Sequence, residues 1–231
     1  MVSLSPHQLW VLAAVERTAT ALSILGIATV FIAFGFSRDF RNPLHRIILM
    51  NAFFNVFDVV ATMISLSGPE AGNGSGLCQL QGFLIQMFPL ADVLWTTAMA
   101  INVFLIVFYR YEAADLRKLE IKYVGIITTL TFIPAFTFLF IKSPEKGPMY
   151  ASVTLWCSVS PHYVLYRIIF FYGPVWLFFL ITNILYVLVG IQILKQKRFL
   201  KSVTNSDDIL DTNGHSPTVS LTHKVPTTIK P

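Results

Sequence analysis

Five side chains, Asn51, Asn55, Asp58, Thr62 and Ser65, lie 4, 3, 4 and 3 residues apart. That spacing puts them on one stripe of a helix. The residues between them are apolar, so Asp58 falls in the middle of a hydrophobic run. An ionisable group at bilayer depth costs roughly 2.5–3.5 kcal/mol on insertion scales, so it normally faces a bundle interior. Two chemistries suit the stripe: hydrogen-bonded joints between helices, or the polar lining of a ligand cavity. Further along, Asp92, Trp95, Thr96, Met99 and Asn102 fall near one face. Asp92 suits either a cationic or hydroxylated ligand or an interior donor. Tyr172, Trp176, Asn183, Tyr186 and Gly190 form a third face, read as packing or as recognition.

Catalytic constellations are missing. The five histidines, His7, His45, His162, His215 and His223, show no HxxxH spacing for a metal. There is no GxSxG, no P-loop and no GxGxxG. No enzyme, metal or cofactor is expected.

The elements that must position these residues follow from composition. Of 231 residues 55% are hydrophobic and only 13% charged, with 20 Phe. Mean hydropathy is +0.65. A soluble domain of this size has nowhere to hide so much apolar surface, and a disordered chain would carry far less. The net charge of +5 is not gathered into a basic patch, so no nucleic-acid partner is expected. Five runs are long enough to cross a bilayer as helices: 18–36, 47–66, 80–109, 123–141 and 164–194. They are apolar on every face, which excludes the alternating strands of a β-barrel. The expectation is an all-α membrane protein, a five-helix transmembrane bundle over 18–194. A short extracellular N-terminus (1–17) precedes it and a disordered cytoplasmic tail (195–231) follows. The first run has no basic flank of the signal-peptide kind and reads as an anchor that stays.

The basic residues orient the bundle. Arg38, Arg41, Arg46, Arg110, Arg117, Lys118, Lys122, Lys195, Lys197, Arg198 and Lys201 fall on one side. Only Arg17, Lys142, Lys146 and Arg167 fall on the other. The N-terminus is therefore expected outside and the C-terminus in the cytoplasm. Cys78 and Cys157 both lie on the outer side, where a disulfide is chemically allowed. The sequon Asn73-Gly74-Ser75 is also outside, a candidate glycosylation site. After Phe199, ten Ser/Thr and three Pro replace the apolar pattern, and Ser216-Pro217 is a candidate phosphorylation site or simply part of a solvated tail.

Local sequence words then carry a resemblance. Leu155-Trp156-Cys157-Ser158, Asn102-Val103-Phe104-Leu105, and Arg167 followed by Phe171-Tyr172-Gly173-Pro174-Val175-Trp176 stand in order and at matching depths. Together they resemble the cyclic-AMP-receptor-like G-protein-coupled receptors of slime moulds and fungi, over about residues 15–200. Ser158 departs from the second Trp of the family word. Tyr109-Arg110-Tyr111-Glu112 is not the Asp-Arg-Tyr of the rhodopsin-like class.

The resemblance implies a plasma-membrane receptor whose Cys78–Cys157 disulfide pins an outer loop over a pocket. An extracellular small-molecule ligand would meet Asn55, Asp58, Thr62, Asp92, Thr96, Arg167, Tyr172 and Trp176. A heterotrimeric G protein would meet Arg110, Arg117, Lys118, Lys122, Lys195, Lys197 and Arg198. For each of those cations, membrane lipid headgroups are the alternative partner. The family has seven helices against five here, which implies a chain cut after the fifth, with signalling incomplete or impaired. Pairing into a receptor dimer stays open. The rivals are a small multi-pass transporter subunit and a non-signalling partner of full-length receptors.

Overall fold

A computed structural model of the chain describes residues 5–36 and 43–212. Five of its helical spans are long and apolar enough to cross a membrane: Pro6–Phe36, His45–Ile64, Gly76–Tyr109, Ala113–Phe138 and Pro161–Phe199. Three of the expected runs fall inside these spans, while 47–66 and 123–141 run two and three residues past the ends of theirs. Arg38 and Arg41 of the orientation count lie outside the described residues, as does Ser216-Pro217.

Helix α1 (Pro6–Phe36) starts twelve residues before the expected apolar run. Its start is a reciprocal cap: Ser5 N donates to Gln8 Oε1 at 2.8 Å, and Gln8 N to Ser5 Oγ at 3.3 Å. Pro6 at the first helical position loses nothing by lacking an N–H. Helix α2 (Pro43–Ile64) ends at Ser65, which takes a left-handed φ of 44°. A single turn, α3 (Ser67–Glu70), leads to α4 (Gly76–Tyr109), capped by Ser75 Oγ accepting from Cys78 N. Arg110, at φ 54°, closes α4. Its N–H reaches Ile106 O and the N–H of Tyr111 reaches Leu105 O, a paired C-terminal closure usually left to glycine.

Helix α5 (Ala113–Phe138) returns to the end of the bundle that carries Cys78, labelled outer after the orientation expected from the basic residues, the opposite end being labelled inner. There the chain forms two short antiparallel hairpins. One pairs β1 (Lys142–Ser143) with β2 (Gly147–Pro148). The other pairs β3 (Tyr150–Ser152) with β4 (Cys157–Val159), in the register Tyr150↔Val159 and Ser152↔Cys157. These strands are the one addition to the all-helical expectation. The fifth span begins with α6 (Val164–Arg167). It widens at Ile168–Tyr172, where the N–H of Gly173 bonds back to Ile168 O, ahead of Pro174. A wide turn of this kind absorbs the hydrogen bond that proline cannot make. Helix α7 (Gly173–Thr212) follows and runs on beyond residue 194, where the tail was expected to begin. Residues 213–231 lie outside the described part.

The chain divides into two units, 1–189 and 190–231. In the first, α4 is central: 44% of its most apolar window is buried, against 6–22% for the other spans. Its Met87, Phe88, Ala91, Leu94 and Trp95 pack on Phe54 and Ala61 of α2 and on Ile127 and Ala135 of α5. Ala61, Ala91 and Ala135 are fully buried, and small residues of this kind let membrane helices approach closely. Phe57 and Phe88 stack at 4.8 Å. The second unit is described only as the helical residues 190–212.

Candidate functional site

The outer cap is built around one disulfide, Cys78–Cys157, which joins α4 to β4. Gln81, one turn inward, accepts from Cys157 N at 2.8 Å and donates to Ala61 O and Ser65 O. This single buried amide ties the hairpin to α2 and α4. Tyr150 lies across Gly82, where an added Cβ would stand 2.6 Å from the ring. Its hydroxyl donates to Ala135 O at 2.9 Å, a carbonyl in the last turn of α5. Burial pushes the Tyr150 phenol up, so it remains a donor across the physiological range. Asn73 is exposed, and its Oδ1 accepts from Ser152 N at 2.8 Å.

The polar stripe of α2 faces a cleft of about 530 Å³ between α1 and α2. Asn51, Asn55, Asp58 and Thr62 line it, with Thr20 and Ser23 from α1. Three members of the stripe make joints. Asn55 Nδ2 donates to Asp92 Oδ1 of α4 at 3.0 Å, and Thr20 Oγ1 donates to Thr62 at 3.2 Å. Ser65 Oγ donates to Glu16 Oε2 at 2.8 Å. Two members stay open: Asp58 lines the cleft, and the buried Asn51 Oδ1 has no hydrogen-bond partner among the described residues. Both chemistries of the stripe are therefore built, interhelical joints at Asn55, Thr62 and Ser65 and a polar cleft wall at Asn51 and Asp58. The cleft can hold a hydrogen-bonding group at a depth where lipid offers none.

Two residues missed in the sequence close the outer end of this cleft. The indole N–H of Trp156 donates to Glu16 Oε1, and both side chains line the cleft. Trp156 was legible only as part of a family word. Glu16 sits two residues before the first apolar run, so the run's boundary hid it. Its one visible signal was an acid beside Arg17 at a helix edge.

The remaining candidates lie elsewhere. Thr96 is half-buried on α4. Arg167 donates to Tyr172 Oη at 2.9 Å, with its guanidinium 5.2 Å from the centre of the same ring. Trp176 is exposed on the next turn. Arg167 and Tyr172 form a cation–aromatic pair at the outer end of the fifth span, Trp176 packs on Phe179, and none of the three is among the cleft's lining residues. On the inner side Arg110, Arg117, Lys118 and Lys122 are all exposed. Lys118 pairs with Asp115 at 3.0 Å. Lys195, Lys197 and Arg198 are exposed on α7 in the second unit. Sequence reasoning also missed an inner joint: Arg46 of α2 bonds Glu120 of α5 at 3.0 Å. Asn102 of α4 accepts from Tyr123 Oη at 3.0 Å nearby on α5.

A helical bundle with its third span at the centre, stapled by a disulfide to the following outer hairpin, defines a class. Its backbone is similar to that of squid rhodopsin, with a TM-score of 0.61 over 89% of this chain and 61% of that one. At 12% identity that likeness is one of fold, the G-protein-coupled-receptor fold. The sequence matches the slime mold cyclic AMP receptor family over residues 7–210, and the chain belongs to that family. It is 35% identical over 173 residues to Cyclic AMP receptor 4 of Dictyostelium discoideum, which covers 73% of this chain and 37% of that protein. The chain thus spans little more than a third of that curated relative. The family is one of receptors, not enzymes.

Proposed function

We propose that this chain senses an extracellular small molecule at the plasma membrane and passes the signal to a heterotrimeric G protein. The observation that carries the reading is membership of the cyclic AMP receptor family over 7–210, together with the disulfide-stapled outer cap. In this reading the N-terminus is outside, because eleven basic residues fall on the inner side and four on the outer. The ligand enters from the capped side. Arg167, Tyr172 and Trp176 offer a cation and aromatic faces there, a chemistry suited to an anionic, ring-bearing ligand. Binding shifts the bundle between two states by its differential affinity for them. Arg110, Arg117, Lys118, Lys122, Lys195, Lys197 and Arg198 present positive charge to the G protein. The test is nucleotide exchange on Gα in membranes carrying the chain, with cyclic AMP as the first probe. Dose-dependent exchange supports the reading, and solute flux without exchange favours a transporter.

A second reading is favoured by the α1–α2 cleft. Its unpartnered Asn51 and Asp58 suit a further membrane helix bearing hydrogen-bond donors, which makes the chain a partner of other receptor segments. Co-purification with a full-length receptor, without exchange of its own, would mark this reading.

A further inference from the structure

We propose that the outer face of α5 carries a specific site for an anionic phospholipid, with one acyl chain in a groove and the headgroup on Lys122. The groove, about 670 Å³, runs along α5 from Lys122 past Gly125 to Leu130 and Pro134. A second hollow of about 440 Å³, walled by α4 and the start of the fifth span, shares Leu130 and Pro134 with it. Twelve residues separate Lys122 from Pro134, a rise of about 18 Å. One leaflet of a bilayer is about 15 Å deep, half of the roughly 30 Å hydrocarbon core. The groove therefore has the length of one acyl chain, apolar throughout except for Thr129.

Charge decides the headgroup. Lys122 stands exposed at the groove's interfacial end and is in no ion pair among the described residues. Lys118, one turn away, is already held by Asp115. Gly125 makes the notch: a Cβ built there meets nothing within 4 Å. A flat helix face would be covered by exchanging lipid, whereas a notch beneath a free cation retains one molecule. A second copy of the chain fits less well. Two copies in one membrane share an orientation, so a symmetric contact through this face sets Lys122 against Lys122 at equal depth. The placement of the site in the cytoplasmic leaflet rests on the orientation proposed above. The site itself does not, and its test involves neither G protein nor ligand.

The full chain is placed in nanodiscs of equal phosphatidylcholine and phosphatidylserine, and native mass spectrometry counts the lipid it keeps. A lysine at an anionic surface is worth about 1 kcal/mol, a factor of about five. The wild type should therefore retain phosphatidylserine over phosphatidylcholine about five-fold. Lys122→Gln should bring that ratio near one. Gly125→Leu should fill the notch and lower retention of both lipids, while its unchanged thermal stability shows that the fold survives. A wild-type ratio near one overturns the proposal, as does a ratio unaffected by both variants. Efficient cross-linking of Gly125→Cys chains into a dimer would also overturn it, by showing that a second copy fills the face.

Discussion

Replacing Cys78, Cys157 or both by Ala removes one covalent joint between α4 and the outer hairpin. Alanine is the right probe because both side chains are fully buried. A serine hydroxyl there would add a desolvation penalty of its own. The bond links residues 79 apart. Treated as a wholly flexible loop, that separation is worth about 4.5 kcal/mol. In a bilayer the reference state is stiffer. The backbone of α4 and α5 has no water to turn to, so both stay helical when packing is lost. Only the turn between them and the chain from 139 to 156 remain free, about 20 residues. A loop of that length gives about 3 kcal/mol. Each single variant should lose about this much, and the double variant no more, because all three delete the same bond. The assay is unfolding in mixed micelles titrated with SDS, followed by tryptophan fluorescence. Reduced wild type should unfold with the variants. A double-variant loss equal to the sum of the singles would refute the reasoning, as would a reduced wild type as stable as the oxidised one.

Three further outcomes are expected. Gly82→Ala should destabilise the bundle by about 1–3 kcal/mol, because the new methyl overlaps the Tyr150 ring; the loss should shrink when Tyr150 is already Ala, as a double-mutant cycle in the same titration reads. Arg110→Gly should raise stability by about 1 kcal/mol by relieving the left-handed backbone at φ 54°, yet reduce Gα exchange if the guanidinium meets the G protein. Chain made in a secretory host should run faster on a gel after glycosidase treatment, and Asn73→Gln should abolish that shift. A glycan there also reports that the 67–77 loop is outside.

Much of the fold was legible because hydrophobicity at membrane depth is unambiguous. Each of the five apolar runs lies wholly or mostly in one helical span, and the family words around Trp156, Asn102 and Arg167 led to the family the chain belongs to. The start of α1 was not legible: the charged pair Glu16-Arg17 cuts the apolar stretch 9–15 off from the run that follows, and the cap at Ser5 and Gln8 lies further upstream still. The outer hairpins were not legible either, since strands of two and three residues leave no period to read. In the site, the α2 stripe was plain because its spacing is helical. What the stripe touches was not. Glu16 reaches Ser65 and Gln81 reaches Cys157 by hydrogen bonds across 49 and 76 residues of chain, and no local pattern announces such a pairing. Arg167, Tyr172 and Trp176 were grouped with the stripe only through the family resemblance, and they are not among the residues that line the α1–α2 cleft.

The most direct test compares Gα nucleotide exchange in membranes from native cells with and without the gene for this chain. The probes are cyclic AMP and the low-molecular-weight fraction of conditioned medium. A receptor predicts exchange that rises with one of these probes and disappears with the gene. Identical exchange in both membranes would contradict it.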